Sequence, residues 1–139
     1  MINGIKPNIT KKTLLDVKTP FGEAMNKFLN KLTDNAKPHV ERFKHTDSIV
    51  FKTDGGKKFI KVKYFETKIN TDYETGVKTI VKDENGSIHC FVDKNTGDIY
   101  KPASWKAPYT KGNNAVRGNI YDEKCYEKTD VYGGWLYAK

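Results

Sequence analysis

The chain has 139 residues, which is enough for one domain with one hydrophobic core. Aromatic residues make up 12% of it, more than a disordered chain carries, and its formal net charge of +8 favours anionic partners such as nucleic acid. Only two of the 25 basic residues are arginines. The alternative explanation of the charge is a lysine-rich surface that binds no anionic partner. We expect no secretory leader and no membrane span, because no apolar run is long enough, and therefore a cytoplasmic protein.

The first third of the chain predicts an arm over residues 1–18 and a helical region over residues 19–45. Thr19 can cap a helix, and Pro20 suits its first position, where the missing backbone N–H is not needed. Apolar residues recur at helical spacing between residues 20 and 35, which predicts one buried stripe. The stripe consists of Phe21, Ala24, Met25, Phe28, Leu29 and Leu32. A short second helical piece is predicted to start at Pro38.

The middle of the chain, residues 46–101, predicts an antiparallel sheet of about five strands. Strand-like segments are separated by turns rich in Gly, Asn and Asp, which tolerate the backbone conformations of hairpins. This spacing is typical of a β-meander that keeps one face on the core and the other towards water. The segments lie at residues 48–53, 58–67, 77–82, 87–93 and 98–101.

The last part of the chain, residues 102–139, predicts a long ordered loop and a closing strand. Its Pro and Gly residues force bends, while its apolar end, which contains Trp135, is too hydrophobic for a free tail. The whole chain is therefore predicted as a single α+β domain over residues 1–139. An N-terminal amphipathic helix packs on the antiparallel meander, and the C-terminal aromatic loop lies across it.

No catalytic or metal-binding set is evident, so we expect a non-enzymatic protein without a cofactor. Cys90 and Cys125 fit neither a C-x-x-C nor a zinc spacing, which favours reduced structural thiols. His89 precedes Cys90 on a strand, and alternation would send the two side chains to opposite faces. Asp93 and Asp98 flank a turn, where such residues usually cap the backbone. A small enzyme that uses Asp93, Asp98 or His89 for acid–base chemistry is the alternative.

Two basic and aromatic segments point to a binding function. In the first, Lys61 and Lys63 share a strand face with Phe59 and Phe65. Lysines neutralise phosphates, and aromatic rings stack unpaired bases with about 1–3 kcal/mol each. The alternative is that the phenylalanine rings are buried beneath a loop while the lysines protect a strand edge from aggregation.

The second segment, residues 94–118, interleaves basic side chains with aromatic rings in an irregular loop. Ordered loops on a rigid scaffold are where binding sites concentrate. Trp105 either faces a ligand or closes an open end of the core. The predicted phosphate contacts in the two segments are Lys61, Lys63, Lys101, Lys106 and Arg117, and the predicted stacking residues are Tyr100, Trp105 and Tyr109.

The sequence SIHCFVDKNTGDIYKPASWKAPYTKGNNAVRGNIYD, with the closing YGGWLY, resembles the C-terminal block of a group of small bacteriophage proteins. That group carries a VHxFVDKxTGDVYKPASWKAPAKGxRxNxxD core. The resemblance covers roughly residues 87–137, and it is interrupted by YTKGNNAV before Arg117 and by EKCYEKTDVYGG near the end. It implies a phage origin and a role in the cytoplasm of infected cells, but no biochemical activity.

Together these features predict a small non-enzymatic phage protein that binds nucleic acid, single-stranded DNA or RNA rather than duplex. The alternative from another class is a host-takeover or anti-defence protein that binds a host protein or sequesters a nucleotide signal. An exposed edge strand would also permit a homodimer.

Overall fold

The computed structural model describes residues 19–43 and 45–137, so the predicted arm at residues 1–18 lies outside the described residues. The protein is an α+β domain, as predicted, with one α-helix packed on an antiparallel sheet. The elements are α1 (Pro20–Arg42), β1 (Thr46–Gly55), β2 (Phe59–Thr71), β3 (Lys78–Val81), β4 (Ser87–Asp93), β5 (Asp98–Tyr100) and β6 (Gly118–Asn119), followed by 3-10 helices η1 (Glu123–Lys128) and η2 (Gly134–Tyr137).

Helix α1 forms where the sequence predicts it and runs further than predicted. The Thr19 hydroxyl accepts a hydrogen bond from the backbone N–H of Gly22 at 3.0 Å, which caps the first turn. All members of the predicted stripe are buried except Phe21, which is half-buried against the core. The helix continues through Pro38 instead of restarting there. Pro38 is exposed, so the carbonyl it leaves unpaired can meet water, and Val40 beyond it still packs on the core.

The sheet has the strand order β1-β2-β4-β5-β6, and β3 pairs separately with β2. The 13-residue strand β2 makes this possible because its first half pairs with β4 and its last residues, Lys68–Thr71, pair with β3. Strand β4 therefore skips its sequence neighbour β3, which is a departure from simple consecutive pairing. Within the described ranges, no helix combines the length and the hydrophobicity that a membrane span requires.

The hydrophobic core lies between α1 and one face of the sheet. Side chains of the α1 stripe pack against inward-facing residues of β1, β2, β4 and β5, which include Phe51, Val62 and Ile99. The C-terminal segment closes the core with Ile120, Trp135 and Leu136. The fully buried positions on this face alternate along β1 and β2, as the period-two geometry of strands requires.

The predicted closing strand is wrong, because the chain end forms the 3-10 helix η2. The Asp130 carboxylate accepts hydrogen bonds from the backbone N–H groups of Gly133 and Trp135, at 2.8 Å and 3.0 Å. Gly133 has a φ of 90°, which a residue with a side chain rarely adopts. This side-chain cap bends the backbone locally and turns Trp135 into the core.

Residue His89 lies on the core side of β4, contrary to the prediction from alternation. The β2–β4 register shifts between Val62 and Lys63, so that Val62 pairs with Cys90 and Lys63 with Ile88. His89 is the extra residue of this β-bulge, and bulges re-aim side chains. Its ring lies 5.7 Å from that of Phe51 and is 1% exposed.

His89 is held there by Trp135, whose indole Nε1–H donates to His89 Nε2 at 3.0 Å. An indole can only donate, so Nε2 must be the acceptor and Nδ1 carries the proton of the neutral ring. Burial lowers the pKa of His89 from 6.5 to about 4, although Asp130 and the backbone of Val131 act in the opposite direction. Protonation would place a second donor on Nε2, facing the indole N–H, and would break this contact.

We expect the folded protein to lose stability as the pH falls from about 6.5 to about 4. The folded-state pKa is depressed, so the unfolded chain takes up the proton first and is favoured in that window. The loss due to this one group should approach about 3 kcal/mol, measured as the free energy of unfolding in urea at several pH values.

The His89→Gln variant provides the control, because Gln can still accept from the indole but does not titrate. Its stability should depend less on pH across the same window. An identical pH dependence in the variant and the wild type would contradict the assignment to His89.

Candidate functional site

The outer face of the sheet, opposite α1, carries lysines and aromatic rings, and we call it the lysine–aromatic face. It comprises Lys52, Phe59, Lys61, Lys63, Phe65, Phe91 and Tyr100, with Trp105 added by a loop. Alternation along β2 sends Ile60 and Val62 into the core and the residues between them outward. The strand register then places Lys61 opposite Phe91, and Phe91 opposite Tyr100.

Three rings form the base layer of this face. The ring of Phe59 makes edge-to-face contacts with Phe91 at 6.5 Å and with Tyr100 at 5.9 Å between centroids. Phe91 is 3% exposed, and Phe59 and Tyr100 are half-buried. The ring of Tyr100, one of the predicted stacking residues, packs edge-to-face against Phe59 and stays half-exposed.

Phe65 is covered in part by the turn between β3 and β4. A Cβ added to Gly86 would lie 2.8 Å from the Phe65 ring, so the glycine backbone rests against the ring. Lys52 and Lys63 lie over the same ring, at 5.0 Å and 5.3 Å from its centroid. Phe65 is half-buried, so the turn covers one side of the ring and does not bury it.

Trp105 stands at the tip of a short ordered loop between β5 and β6. The loop is closed by backbone hydrogen bonds from Ala103 to the carbonyl of Ala107, at 2.9 Å, and from Tyr109 to the carbonyl of Lys101, at 2.8 Å. Trp105 is 47% exposed and does not belong to the core, where Trp135 is the buried tryptophan. Trp105 therefore does not close an open end of the core.

Two lysines hold the Trp105 ring against the sheet. Lys61 Nζ lies 4.6 Å and Lys63 Nζ 5.8 Å from the ring centroid, within the range of cation–π attraction. Lys63 also forms an ion pair with Asp54 at 2.8 Å. Burial lowers the pKa of Lys61, and the positive charges of Lys63 and Lys106 lower it further, against the opposing effect of Asp54. The site thus concentrates positive charge beside an exposed ring.

The other predicted residues lie in three further places. Lys106 lines a cleft together with Lys61, at the end of the face beside the β1–β2 turn. Lys101 lies 4.8 Å from the ring centroid of Tyr109 and 5.1 Å from that of Tyr137, which forms a second cation–π cluster. Arg117 donates from Nη1 to the carbonyl of Asn114, within its own loop, at 3.0 Å.

Sequence reasoning missed Lys52 and Phe91 as members of the face. The alternation of side chains along β4 predicts the position of Phe91. Its neighbour Val92 faces the core, so Phe91 points to the outer face. Lys52 lies on this face because β1 pairs it with Lys63 of β2. The register between two strands cannot be predicted from the sequence of either strand alone.

The candidate acid–base residues are occupied by structural contacts. Asp93 Oδ1 accepts from the backbone N–H groups of Asn95 and Thr96, at 2.7 Å and 3.2 Å, and so caps the turn. Asp98 Oδ1 accepts from the side chain of Asn119 at 2.9 Å. Among the residues that the structure describes, no group of three or more His, Cys, Asp or Glu could hold a metal ion.

Both cysteines are buried free thiols and lie away from the lysine–aromatic face. Cys90 is in the core, where burial raises the pKa of its thiol well above the ordinary value. Cys125 donates a hydrogen bond from Sγ to the carbonyl of Asn119 at 3.2 Å. Their surroundings suit packing and disfavour the thiolate that a nucleophile needs.

The fold and the site define an α+β protein whose sheet is packed by a helix on one face and bears lysines and aromatic rings on the other. The chain belongs to a family of unknown function, DUF7717, whose model it matches over residues 6–138. It has no significant match among curated proteins or among solved structures.

We expect the two tryptophans to differ sharply when each is replaced by Ala. Trp135→Ala removes a buried side chain and should lower the free energy of unfolding by about 3–5 kcal/mol. Trp105→Ala removes a half-exposed ring and its cation–π contacts, so the loss should be about 1 kcal/mol or less. Urea unfolding of both variants measures this, and equal losses would show that Trp105 is a core residue.

Proposed function

We propose that the lysine–aromatic face binds single-stranded nucleic acid. The observation that carries this proposal is the half-exposed Trp105 ring, held beside the ammonium groups of Lys61 and Lys63. An exposed ring offers an unpaired base a surface on which to stack, and the neighbouring lysines neutralise the phosphates that connect successive bases.

A single strand suits this face better than a duplex. Duplex bases are stacked on one another, so a ring lying over a sheet can reach only a base that is unpaired. Lys106 extends the proposed contact towards the β1–β2 turn. The proposed strand also has flanking contacts outside this site, with Lys101, Tyr109 and Arg117. The half-buried ring of Tyr100 packs against Phe59 and supports the base layer of the face.

The cellular setting is part of the same proposal. The resemblance of residues 87–137 to small bacteriophage proteins supports a phage protein that acts in the cytoplasm of an infected cell. Such a protein would meet single strands there during replication or transcription. No catalytic role is required for this function, because binding alone would protect or sequester the strand.

We expect measurable binding to a labelled oligonucleotide of about ten nucleotides, with affinity that falls steeply with salt. Each phosphate contact in a single strand contributes about 0.7 to the slope of log affinity against log salt concentration. Trp105→Ala should weaken binding by about 1–3 kcal/mol, because one stacking contact is lost. Fluorescence anisotropy of the oligonucleotide measures both effects without relying on tryptophan emission.

The matched control is Lys37→Ala, which removes one exposed charge from α1, on the opposite side of the sheet. Lys61→Ala changes the net charge by the same amount and should weaken binding more and reduce the salt slope. Equal effects of the two variants, or no binding of the wild type at low salt, would refute the proposal.

A specific surface also favours the second candidate, the binding of a host protein. Strand β3 is exposed at all four positions and, within the described part of the chain, pairs only with β2. Its apolar side chains and those of the preceding turn are open to solvent, with Tyr73 90%, Val77 60% and Ile80 57% exposed. Exposed strand edges accept a further strand from another protein.

If this candidate is correct, Ile80→Lys should abolish retention of a bacterial protein on the immobilised chain, because a charge then interrupts the apolar edge. Trp105→Ala changes a ring that contacts Lys61 and Lys63 and should leave the retention unchanged. Retention that survives Ile80→Lys but fails with Trp105→Ala would exclude the β3 edge.

A further inference from the structure

A cleft of 340 Å³ opens at the end of the lysine–aromatic face, beside the turn between β1 and β2. Its lining includes four lysines, Lys57, Lys58, Lys61 and Lys106, and one carboxylate, that of Asp54. The Asp54 carboxylate already pairs with Lys63, at 2.8 Å. The cleft therefore has four lysines and one carboxylate in its lining, and that carboxylate is already paired with a fifth lysine.

Hydrogen bonds to backbone groups hold the β1–β2 turn, which carries Lys57 and Lys58, in place. The N–H of Gly56 donates to the carbonyl of Phe59 at 2.9 Å, and Lys94 Nζ donates to the carbonyl of Gly56 at 3.1 Å. A Cβ at Gly56 would lie 2.8 Å from the Phe59 carbonyl oxygen, so the turn is tight enough to require glycine. The positive charges thus project from a fixed turn and not from a long loop.

Of the lysines that line the cleft, Lys106 acts on the charge of Lys61, as does Lys63 beside the cleft, and Asp54 acts in the opposite direction. The charges of Lys63 and Lys106 both lower its pKa, in addition to the larger effect of burial. An anion bound between Lys61 and Lys106 would relieve this repulsion. Among the described residues, the cleft lining contains one carboxylate, Asp54, which already pairs with Lys63 at 2.8 Å.

Lys61 connects the cleft to the exposed ring. It lines the cleft, and its Nζ lies 4.6 Å from the centroid of Trp105, whose chain neighbour Lys106 lines the cleft as well. A phosphate in the cleft and a base against Trp105 are therefore adjacent, as they are within one nucleotide.

We propose that this cleft binds the terminal phosphate of a single strand whose end base stacks on Trp105; this inference rests on the proposed function. A phosphomonoester carries about −1.5 to −2 charges near neutral pH, whereas an internal phosphodiester carries only one. Four lysines around one small cleft match the larger charge, and the cleft lies where the face ends at a tight turn. The protein would thus recognise strand ends.

The test compares oligonucleotides of one sequence that carry a 5′-phosphate, a 3′-phosphate or hydroxyl groups at both ends. Charge-assisted hydrogen bonds to the extra phosphate should make one phosphorylated form bind about tenfold or more tightly than the hydroxyl form. The two phosphorylated forms show which end of the strand enters the cleft. Anisotropy of an internally placed label reports all three affinities.

The double variant Lys57→Ala, Lys58→Ala removes two lysines that line the cleft and are not among the proposed strand contacts. It should lose this preference and still bind the hydroxyl form through Trp105, Lys61 and Lys63. Both lysines are exposed, so their removal should leave the fold intact, which thermal unfolding checks. The matched control is the double variant Lys27→Ala, Lys37→Ala, which also removes two exposed positive charges, both from α1, and should keep the preference.

The outcomes separate the two proposals. Equal, salt-dependent affinities for the three oligonucleotides would overturn the assignment of the cleft and leave strand binding in place. No binding of any of them would refute the proposed function itself. A preference that persists in the double variant would also overturn the assignment, because the discriminating charge would then lie elsewhere.

Discussion

The alternation of side chains along β2 is the constraint on which both the core and the candidate site depend. Ile60 and Val62 pack beneath the sheet, and Lys61 and Lys63 rise from the other side between and beside them. A shift of one residue in the pairing would bury the lysines and expose the apolar side chains. The burial of the core therefore fixes the positions of the lysines, and the site inherits its rigidity from the core.

The two tryptophans show how the C-terminal segment serves both faces of the sheet. Trp135 is fixed in the core through its backbone contact with Asp130 and its indole contact with His89. Trp105 is fixed on the outer face by a closed loop and by the ammonium group of Lys61. One contact is a buried hydrogen bond between neutral groups, and the other is an electrostatic contact open to solvent. Acid breaks the first contact, because it protonates His89. Salt weakens the second contact, because it screens the charge of Lys61.

Local sequence patterns predicted what depends on local geometry. The helix cap at Thr19, the buried stripe of α1 and the sharing of one face by Lys61 and Lys63 all follow from spacing alone. The inward position of His89 could not be predicted in this way, because it follows from a bulge in the pairing of two distant strands. The 3-10 helix at Trp135 depends on hydrogen bonds to the Asp130 carboxylate. The contact between Trp105 and Lys61 depends on how the loop that carries Trp105 folds back onto the sheet. The separation of Lys101 and Tyr109 from the main cluster has the same origin, since Lys101 contacts the rings of both Tyr109 and Tyr137.

The unequal pairing of β2 divides the sheet into two parts of different local stability. Near β4, the strand is covered by α1 and paired on both edges, so its backbone hydrogen bonds open only when the core opens. Its far end and β3 extend beyond the helix as an exposed hairpin, in which every β3 side chain meets solvent. The backbone hydrogen bonds of that hairpin therefore open with a smaller loss of buried surface than those beside β4. The turn that follows β3 rests on the Phe65 ring through Gly86, so opening of the hairpin uncovers one ring of the lysine–aromatic face and leaves the core closed.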